Sequence, residues 1–350
     1  MKDIENASLL THNTFGIDVH CRRLLEFSSA DEACQIARDL SGTEDPYLLL
    51  GGGSNLLLTG DYPGTVVTPE NRFEVTVFSR PDDPDGVFLR CWAGTTFDEV
   101  VDYAVQLGYH GAENLSLIPG EVGASAIQNI GAYGAEASEL ITEVEAVEIS
   151  TARRVRFSNA ACRYGYRQSK FKHEWRDHYV ITAVTYRLTR TFTPKLDYGS
   201  IRRELETKGI TEPTASQMRQ VIIAIRRAKL PDPQVMGNAG SFFMNPMVTE
   251  EKFKQLQALY PDMPFFRLPV PLRQSDGTVL TVKVPAGWMI DRCGWRGKSL
   301  GRVGVYDKQA LVLVNHGGAT GAEVLALCKT IQHDVDAKFG ILIHPEVNIK

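Results

Sequence analysis

Apolar and polar positions change period several times along the chain, and each change marks an element. "FEVTVF" (Phe73–Phe78) alternates apolar with polar, the period of a half-buried strand, and Val87–Ala93 does the same. In "YVITAVTYRL" (Tyr179–Leu188) the residues Val180, Thr182, Val184 and Tyr186 fall on one side. Val144–Ser150 reads as a further strand, and the short apolar runs Tyr47–Leu50 and Thr65–Thr68 as buried ones. The period lengthens at Met218, Val221, Ile222 and Ile225, which recur as one helical face until Pro231 and Pro233 stop the helix. Ser29 with Glu32, Thr96 with Glu99 and Thr320 with Glu323 have the spacing of capping boxes. They predict a helix from Ser29 to about Leu40, one from Thr96 with Gly108 just past its end, and one from Thr320 faced by Val324, Leu327, Ile331 and Val335. Thr249 caps an expected helix to about Leu259, and Gln309–Val314 and Ile341–Ile343 are expected strands. Mixed elements without a repeat period predict an α+β protein, with a boundary near the two prolines where the pattern restarts.

Composition mainly excludes. A chain of 350 residues is long for one core and predicts two or three domains. A formal net charge of -4 leaves no polycationic footprint, so no nucleic-acid partner is expected. No apolar run approaches a membrane span, and "MKDIENASLLTHNTFG" has acidic residues and no apolar segment of a secretory signal, so a cytoplasmic protein without membrane insertion is expected. Cys21, Cys34, Cys91, Cys162, Cys293 and Cys328 form no C-x-x-C pair and read as reduced thiols, and the histidines lack ligand spacing, so no metal site is expected.

Several stretches carry candidate chemistry. In "LLLGGGSNLLL" a buried strand runs into Gly51, Gly52 and Gly53, whose backbone N–H groups can approach an anion, with Ser54 and Asn55 as added donors. A tight turn between strands explains the same letters equally well. Leu117–Gly134 is too apolar for a linker and too rich in small residues for a packed element. It suits either an Ω-loop or a backbone platform for a flat ligand, with Gln128, Asn129 and Tyr133 as polar or stacking groups. "CRYGYRQSKFK" crowds cations and tyrosines, and Arg167 beside Tyr166 is suited to a carboxylate or phosphate. Arg226, Arg227 and Lys229 complement the C-terminal end of a helix dipole. Glu346 near the C-terminus would ordinarily face solvent.

Taken in order and spacing, "GGGSN", "IPGEVGASAIQNIGAYG", "YGYRQSKFK", "KLPDP", "GNAGSFFMNP", "AGWMIDRCG" and "HPEV" resemble the UDP-N-acetylenolpyruvoylglucosamine reductase (MurB) family over essentially the whole chain. "LDYGSI" points to the form with a tyrosine loop. The resemblance implies a two-subdomain FAD-binding fold of the vanillyl-alcohol-oxidase (PCMH) type with a C-terminal α+β substrate-binding domain. The implied divisions are about 1–70, 71–218 and 219–340, with the C-terminal strand, about 341–350, returning to the cleft. It implies noncovalent FAD, NADPH as hydride donor, UDP-N-acetylglucosamine enolpyruvate as substrate, and a monomer.

By matching position, Gly51, Gly52, Gly53, Ser54 and Asn55 line the FAD pyrophosphate in this resemblance. Ile118, Pro119, Gly120, Gly123, Ser125, Gln128, Asn129, Gly131 and Tyr133 line the rest of the flavin site. Ser54 stands where some flavoproteins carry a linking histidine, so no covalent attachment is implied. Arg167 and Glu346 match catalytic residues that stabilise an enolate-like dianion, the glutamate only in protonated or donor-bridged form. Ser241 matches the proton donor, acceptable as a weak acid because the dianion is a very strong base. Tyr166, Tyr198, Lys229 and Asn245 match substrate or nucleotide contacts. Met244 stands where a lysine is common, and Arg292, where a glutamine is frequent, offers a replacement cation. A flavin oxidase or dehydrogenase acting on an alcohol or sugar would use the same FAD scaffold without needing Ser241 or the tyrosine loop, and the presence of Arg167, Ser241 and Glu346 counts against a binding protein without turnover.

Overall fold

The computed structural model describes residues 1–198 and 200–350, and the chain divides into two compact units. The first unit is made of residues 1–8, 20–53 and 62–228; the second of 9–19, 54–61 and 229–350. The fold is α+β, as the mixed periods predict.

Two sheets build the first unit. One runs in the order Lys2–Ser8, His20–Phe27, Tyr62–Pro69, Tyr47–Leu49, the first pair antiparallel and the last three strands parallel to one another. The other is antiparallel, in the order Arg153–Ser158, Ile141–Glu148, Tyr179–Thr189, Asp83–Trp92, Val75–Arg80. The helix Ala30–Ser41 packs Ile36, Ala37 and Leu40 into a core shared by Leu25, Phe27 and Val67 of the first sheet and Trp92, Val147 and Val180 of the second. A second core gathers the helix Phe97–Gln106, through Phe97, Val100 and Val101, against Val144, Val184 and Tyr186. The strand Tyr179–Thr189 is therefore buried on both faces, and the one-sided pattern read from Val180 to Tyr186 is only half of its packing. Met218, Val221, Ile222 and Ile225 do form the buried face of a helix, Ala215–Lys229, against Ile201 and Leu205.

In the second unit an antiparallel sheet runs Gly237–Ser241, Val312–Asn315, Val303–Val305, Ser299–Leu300. A smaller one runs Met247–Val248, Val279–Lys283, Phe266–Arg273. Thr249 caps the helix Glu250–Leu259, and Thr320 with Glu323 forms a full capping box on Gly321–Phe339. The segment Leu56–Leu57 pairs in parallel with Asn348–Ile349.

Four local expectations are corrected. Ser29 accepts from the Glu32 N–H, but the Glu32 carboxylate turns to Ser28 and the N-terminal ammonium, so the box is half made. Thr96 caps nothing with its side chain; the Glu99 N–H donates to the Thr96 backbone carbonyl instead. Leu117–Gly134 contains a packed helix, Val122–Gln128, whose small residues allow Gly123 N–H to reach the Ala93 carbonyl at 2.9 Å. Ile341–Ile343 alternates burial but joins no ladder among the described residues; the Ile343 carbonyl accepts from the Gln332 side chain.

Candidate active site

Each unit holds one cluster of the residues singled out from the sequence. In the first, Arg167 sits at the tip of a tight turn. Gly165 and Gln168 exchange both backbone hydrogen bonds at 3.0 Å, which throws Tyr166 and Arg167 outward, Arg167 at φ +56°. The turn is clamped to the helix Val122–Gln128 and the segment after it. The Ser169 hydroxyl donates to the Ile127 carbonyl, and the Asn129 amide donates to the Gly165 carbonyl at 2.9 Å. Asn129 also donates to Glu136 and accepts from Ser138 N–H, so this fully buried residue works as a brace through its whole amide. The Arg167 guanidinium donates to the carbonyls of Asn129 and Gly131 and lies 5.3 Å from the Tyr166 ring centre. A Cβ on Gly131 would stand 2.8 Å from Arg167 Nη1, so only glycine admits the guanidinium there.

Tyr133 follows in the same segment, its ring meeting Tyr198 edge-on at 5.9 Å between centres. The Tyr133 carbonyl accepts from Asn114, which also holds the Lys195 carbonyl. Tyr198 is half exposed; Gly199 of the expected tyrosine loop lies outside the described residues. Burial raises the Tyr133 phenol above its ordinary value, with Arg226 acting against it. Arg226 turns inward, donating to the Leu117 carbonyl at 3.1 Å. Burial draws its guanidinium below the ordinary range, while Tyr133 and Asp98 oppose that and the like charge of Arg167 adds to it. The helix-dipole account therefore fits the exposed Arg227 and Lys229 but not Arg226.

The other half of this cluster is a small cleft beside the glycine turn. Gly51, Gly123, Ala124, Ile127 and Val180 line it, with Glu121 as its only carboxyl among the described residues. Ile118 is buried next to Pro119 and Gly120 in the loop that leads there. The Ser125 hydroxyl is enclosed between the Val122 carbonyl and the Tyr186 hydroxyl, both at 2.6 Å, and Gln128 is half-buried. Apolar walls, a turn of bare backbone and one buried, unpartnered carboxyl oxygen fit a dinucleotide with a flat ring and a polar linker. Sequence reasoning passed over Glu121 and Asn114, because neither letter shows its burial.

The second unit brings Ser241 and Glu346 onto neighbouring segments. Ser241 ends the strand Gly237–Ser241, opposite Val312. Phe242 and Phe243, both fully buried, anchor the turn after it, Phe242 against Phe15. The chain then runs beside residues 344–346. Met244 N–H donates to the His344 carbonyl, Phe243 bridges Pro345, and Glu346 N–H donates to the Phe242 carbonyl at 2.8 Å. Ser54 and Asn55 belong to this unit, and the Asn55 amide reaches the Glu346 carbonyl at 3.4 Å. Asn245 accepts from Ala286 N–H and so caps the helix Ala286–Arg292. Arg292 is engaged by Asp262 and lies over Trp288, while Lys229 is exposed. Nothing in the structure explains Met244. Among the described residues no group of side chains could hold a metal, and no helix is long and apolar enough to cross a membrane.

Comparison with known proteins bears on both clusters. A family model described as an FAD binding domain matches residues 22–158. One described as the C-terminal domain of UDP-N-acetylenolpyruvoylglucosamine reductase matches residues 232–350. A UDP-N-acetylenolpyruvoylglucosamine reductase of Bacteroides fragilis is 53% identical over 98% of this chain and 99% of its own. One of Burkholderia multivorans is 46% identical over 97% and 94%. Among solved structures, the reductase of Thermus caldophilus superposes with a TM-score of 0.65 over 99% of this chain and 98% of its own, at 19% identity, a likeness of fold.

Proposed function

The chain belongs to the UDP-N-acetylenolpyruvoylglucosamine reductase family, and from that premise we propose that it reduces UDP-N-acetylglucosamine enolpyruvate to UDP-N-acetylmuramic acid, using NADPH, in peptidoglycan precursor synthesis. It is a flavin-dependent oxidoreductase that binds FAD, with an FAD-binding fold followed by the family's C-terminal domain. We keep the division into two flavin-binding subdomains and a substrate-binding domain as part of the same reading.

Bound FAD supplies the hydride relay from nicotinamide to substrate. The glycine turn Gly51–Gly53 with Ser54 and Asn55, and the loop from Ile118 to Tyr133, would hold it. The protein's own residues then deal with charge and proton. Arg167, fixed by two carbonyls and a braced turn, is a preorganised cation for the substrate carboxylate and for the dianion that develops on it. Ser241 delivers the proton to the carbon bearing that carboxylate. Glu346, protonated or bridged by a donor, adds stabilisation that a bare carboxylate would deny. Tyr166, Tyr198, Lys229, Asn245 and Arg292 complete the reading as substrate or nucleotide contacts.

The observation that carries the proposal is the pairing of residues 242–244 with 344–346, which sets a hydroxyl and a carboxyl remote in sequence on adjacent segments. Anaerobic flavin spectroscopy tests it. NADPH is expected to bleach the flavin, and the enolpyruvyl substrate to restore its absorbance; bleaching without restoration defeats the proposal.

A further inference from the structure

Glu121 is a buried carboxyl that the reaction just described does not use. It is 7% exposed. Its Oε1 accepts one long hydrogen bond, 3.4 Å, from the Asn71 amide. Its Oε2 has no hydrogen-bond partner among the described residues. That oxygen is aimed at the glycine turn: a Cβ built on Gly51 would lie 3.3 Å from Oε2, and one on Gly52 3.6 Å from the Glu121 Cγ. The same carboxyl lines the apolar cleft with Gly51, Gly123 and Ala124.

An ionised carboxylate in that place would face the dinucleotide's pyrophosphate with like charge and no donor of its own. The neutral acid has the opposite character, a single O–H in search of an acceptor. We propose that Glu121 is an FAD-binding residue that acts as the neutral acid, its Oε2–H donating to a phosphate oxygen of FAD, so that cofactor binding retains or takes up one proton at this side chain. The proton comes from solvent, and no other bond is made or broken. The inference needs only that the chain binds FAD and is independent of the roles given to Arg167, Ser241 and Glu346.

The surroundings favour this protonation state. Burial pushes the Glu121 carboxyl up to about 7, the Asn71 hydrogen bond pulls the other way, and the like charge of Glu26 adds to the rise. Glu26 faces it from the strand His20–Phe27. On the Asn71 loop, Arg72 is taken by Glu70 and Glu74 at 2.9 and 2.6 Å. Tyr179, in the same cleft, is held above its ordinary value by burial, with the charge of Glu148 adding to it. Gly51–Gly53 and the helix Val122–Gln128 carry no titratable side chain.

The test is FAD titration of the full-length apoprotein, followed by flavin fluorescence, at several pH values on either side of neutrality. In the wild type the dissociation constant is expected to rise with pH above about 7, toward tenfold per pH unit, the signature of one linked proton. Glu121→Gln, a neutral donor of the same shape, is expected to bind within a few-fold of the wild type at low pH and to show no such rise. Glu121→Ala is expected to bind roughly tenfold more weakly at low pH. Infrared spectra of the FAD-bound protein are expected to show a protonated carboxyl band that Glu121→Gln lacks. A wild-type affinity that is flat or tightens as pH rises, or a Glu121→Ala variant that binds like wild type, overturns the proposal. Either result would leave NADPH bleaching and substrate-dependent recovery of the saturated flavin untouched, so this inference and the reductase reading fail separately.

Discussion

At the scale of single residues, Glu121 and Ser241 give opposite lessons about burial. Folding leaves Glu121 a carboxyl pushed up to about 7 from an ordinary 4.5. Below about 4.5 both folded and unfolded chains hold the proton, and the residue costs nothing. Between these values the unfolded chain releases the proton and the folded chain keeps it, so stability falls as pH rises; above about 7 the whole penalty is present. The gap corresponds to roughly 3 kcal/mol. Glu121→Gln is therefore expected to stabilise the apoprotein by up to about that amount at pH 8, with the advantage vanishing near pH 4.5. Urea unfolding at the two pH values measures it, and an equal advantage at both would refute the linkage. Ser241, exposed at a strand end, carries no such penalty. Ser241→Ala is expected to leave NADPH-driven flavin reduction intact and to slow substrate-driven reoxidation by two or more orders of magnitude, the usual range for a positioned acid. Stopped-flow absorbance separates the two halves, and equal damage to both would make the serine structural.

At the scale of elements, the turn Gly165–Gln168 and the segment 128–136 form one device for aiming a guanidinium. Helix Val122–Gln128 ends at Asn129 in the left-handed region, φ +48°, which redirects the chain so that the Asn129 and Gly131 carbonyls both face Arg167. Gly131→Ala puts a methyl 2.8 Å from Nη1 and 2.7 Å from the Ala135 carbonyl, so the guanidinium must move. The expected result, with FAD supplied at saturation, is substrate-dependent reoxidation slowed on the order of a hundredfold, the effect of a shift of about 1 Å in a positioning group. Reoxidation of the FAD-saturated variant at the wild-type rate in stopped-flow absorbance would contradict this. The elements themselves were legible where a single period ruled: the helix Ala215–Lys229 and the capped helix Gly321–Phe339 follow from apolar spacing and caps. The helix Val122–Gln128 was not legible. Its stability comes from close approach of Gly123 to Ala93 and of Val122 to Thr95, partners that no local pattern reveals. The same holds for Arg226, whose inward course depends on Leu117 and Tyr133.

At the scale of the whole molecule, the two compact units are not two stretches of chain. The proline stop after Lys229 marks where the last crossing occurs, yet the second unit also needs residues 9–19 and 54–61. Phe15 packs edge-on against Phe242, Thr14 and Asn238 exchange two hydrogen bonds at 2.7 and 2.9 Å, and the Asn315 amide holds the Phe15 carbonyl at 2.9 Å. Leu56–Leu57 is the strand partner of Asn348–Ile349, and the Asn55 amide meets Glu346 at the segment beside Ser241. Such contacts close long loops before they are rewarded, which slows folding and makes the unit dependent on distant sequence. A fragment of residues 229–350 would leave the buried Phe242, the Asn238 backbone and the Asn315 side-chain amide without these partners, a deficit of several kcal/mol against a typical stability of about 5–15 kcal/mol. It is expected to lack a cooperative thermal transition and dispersed amide resonances, and to acquire both when co-expressed with residues 1–228. A fragment that folds alone would show that the two early segments decorate the second unit rather than complete it.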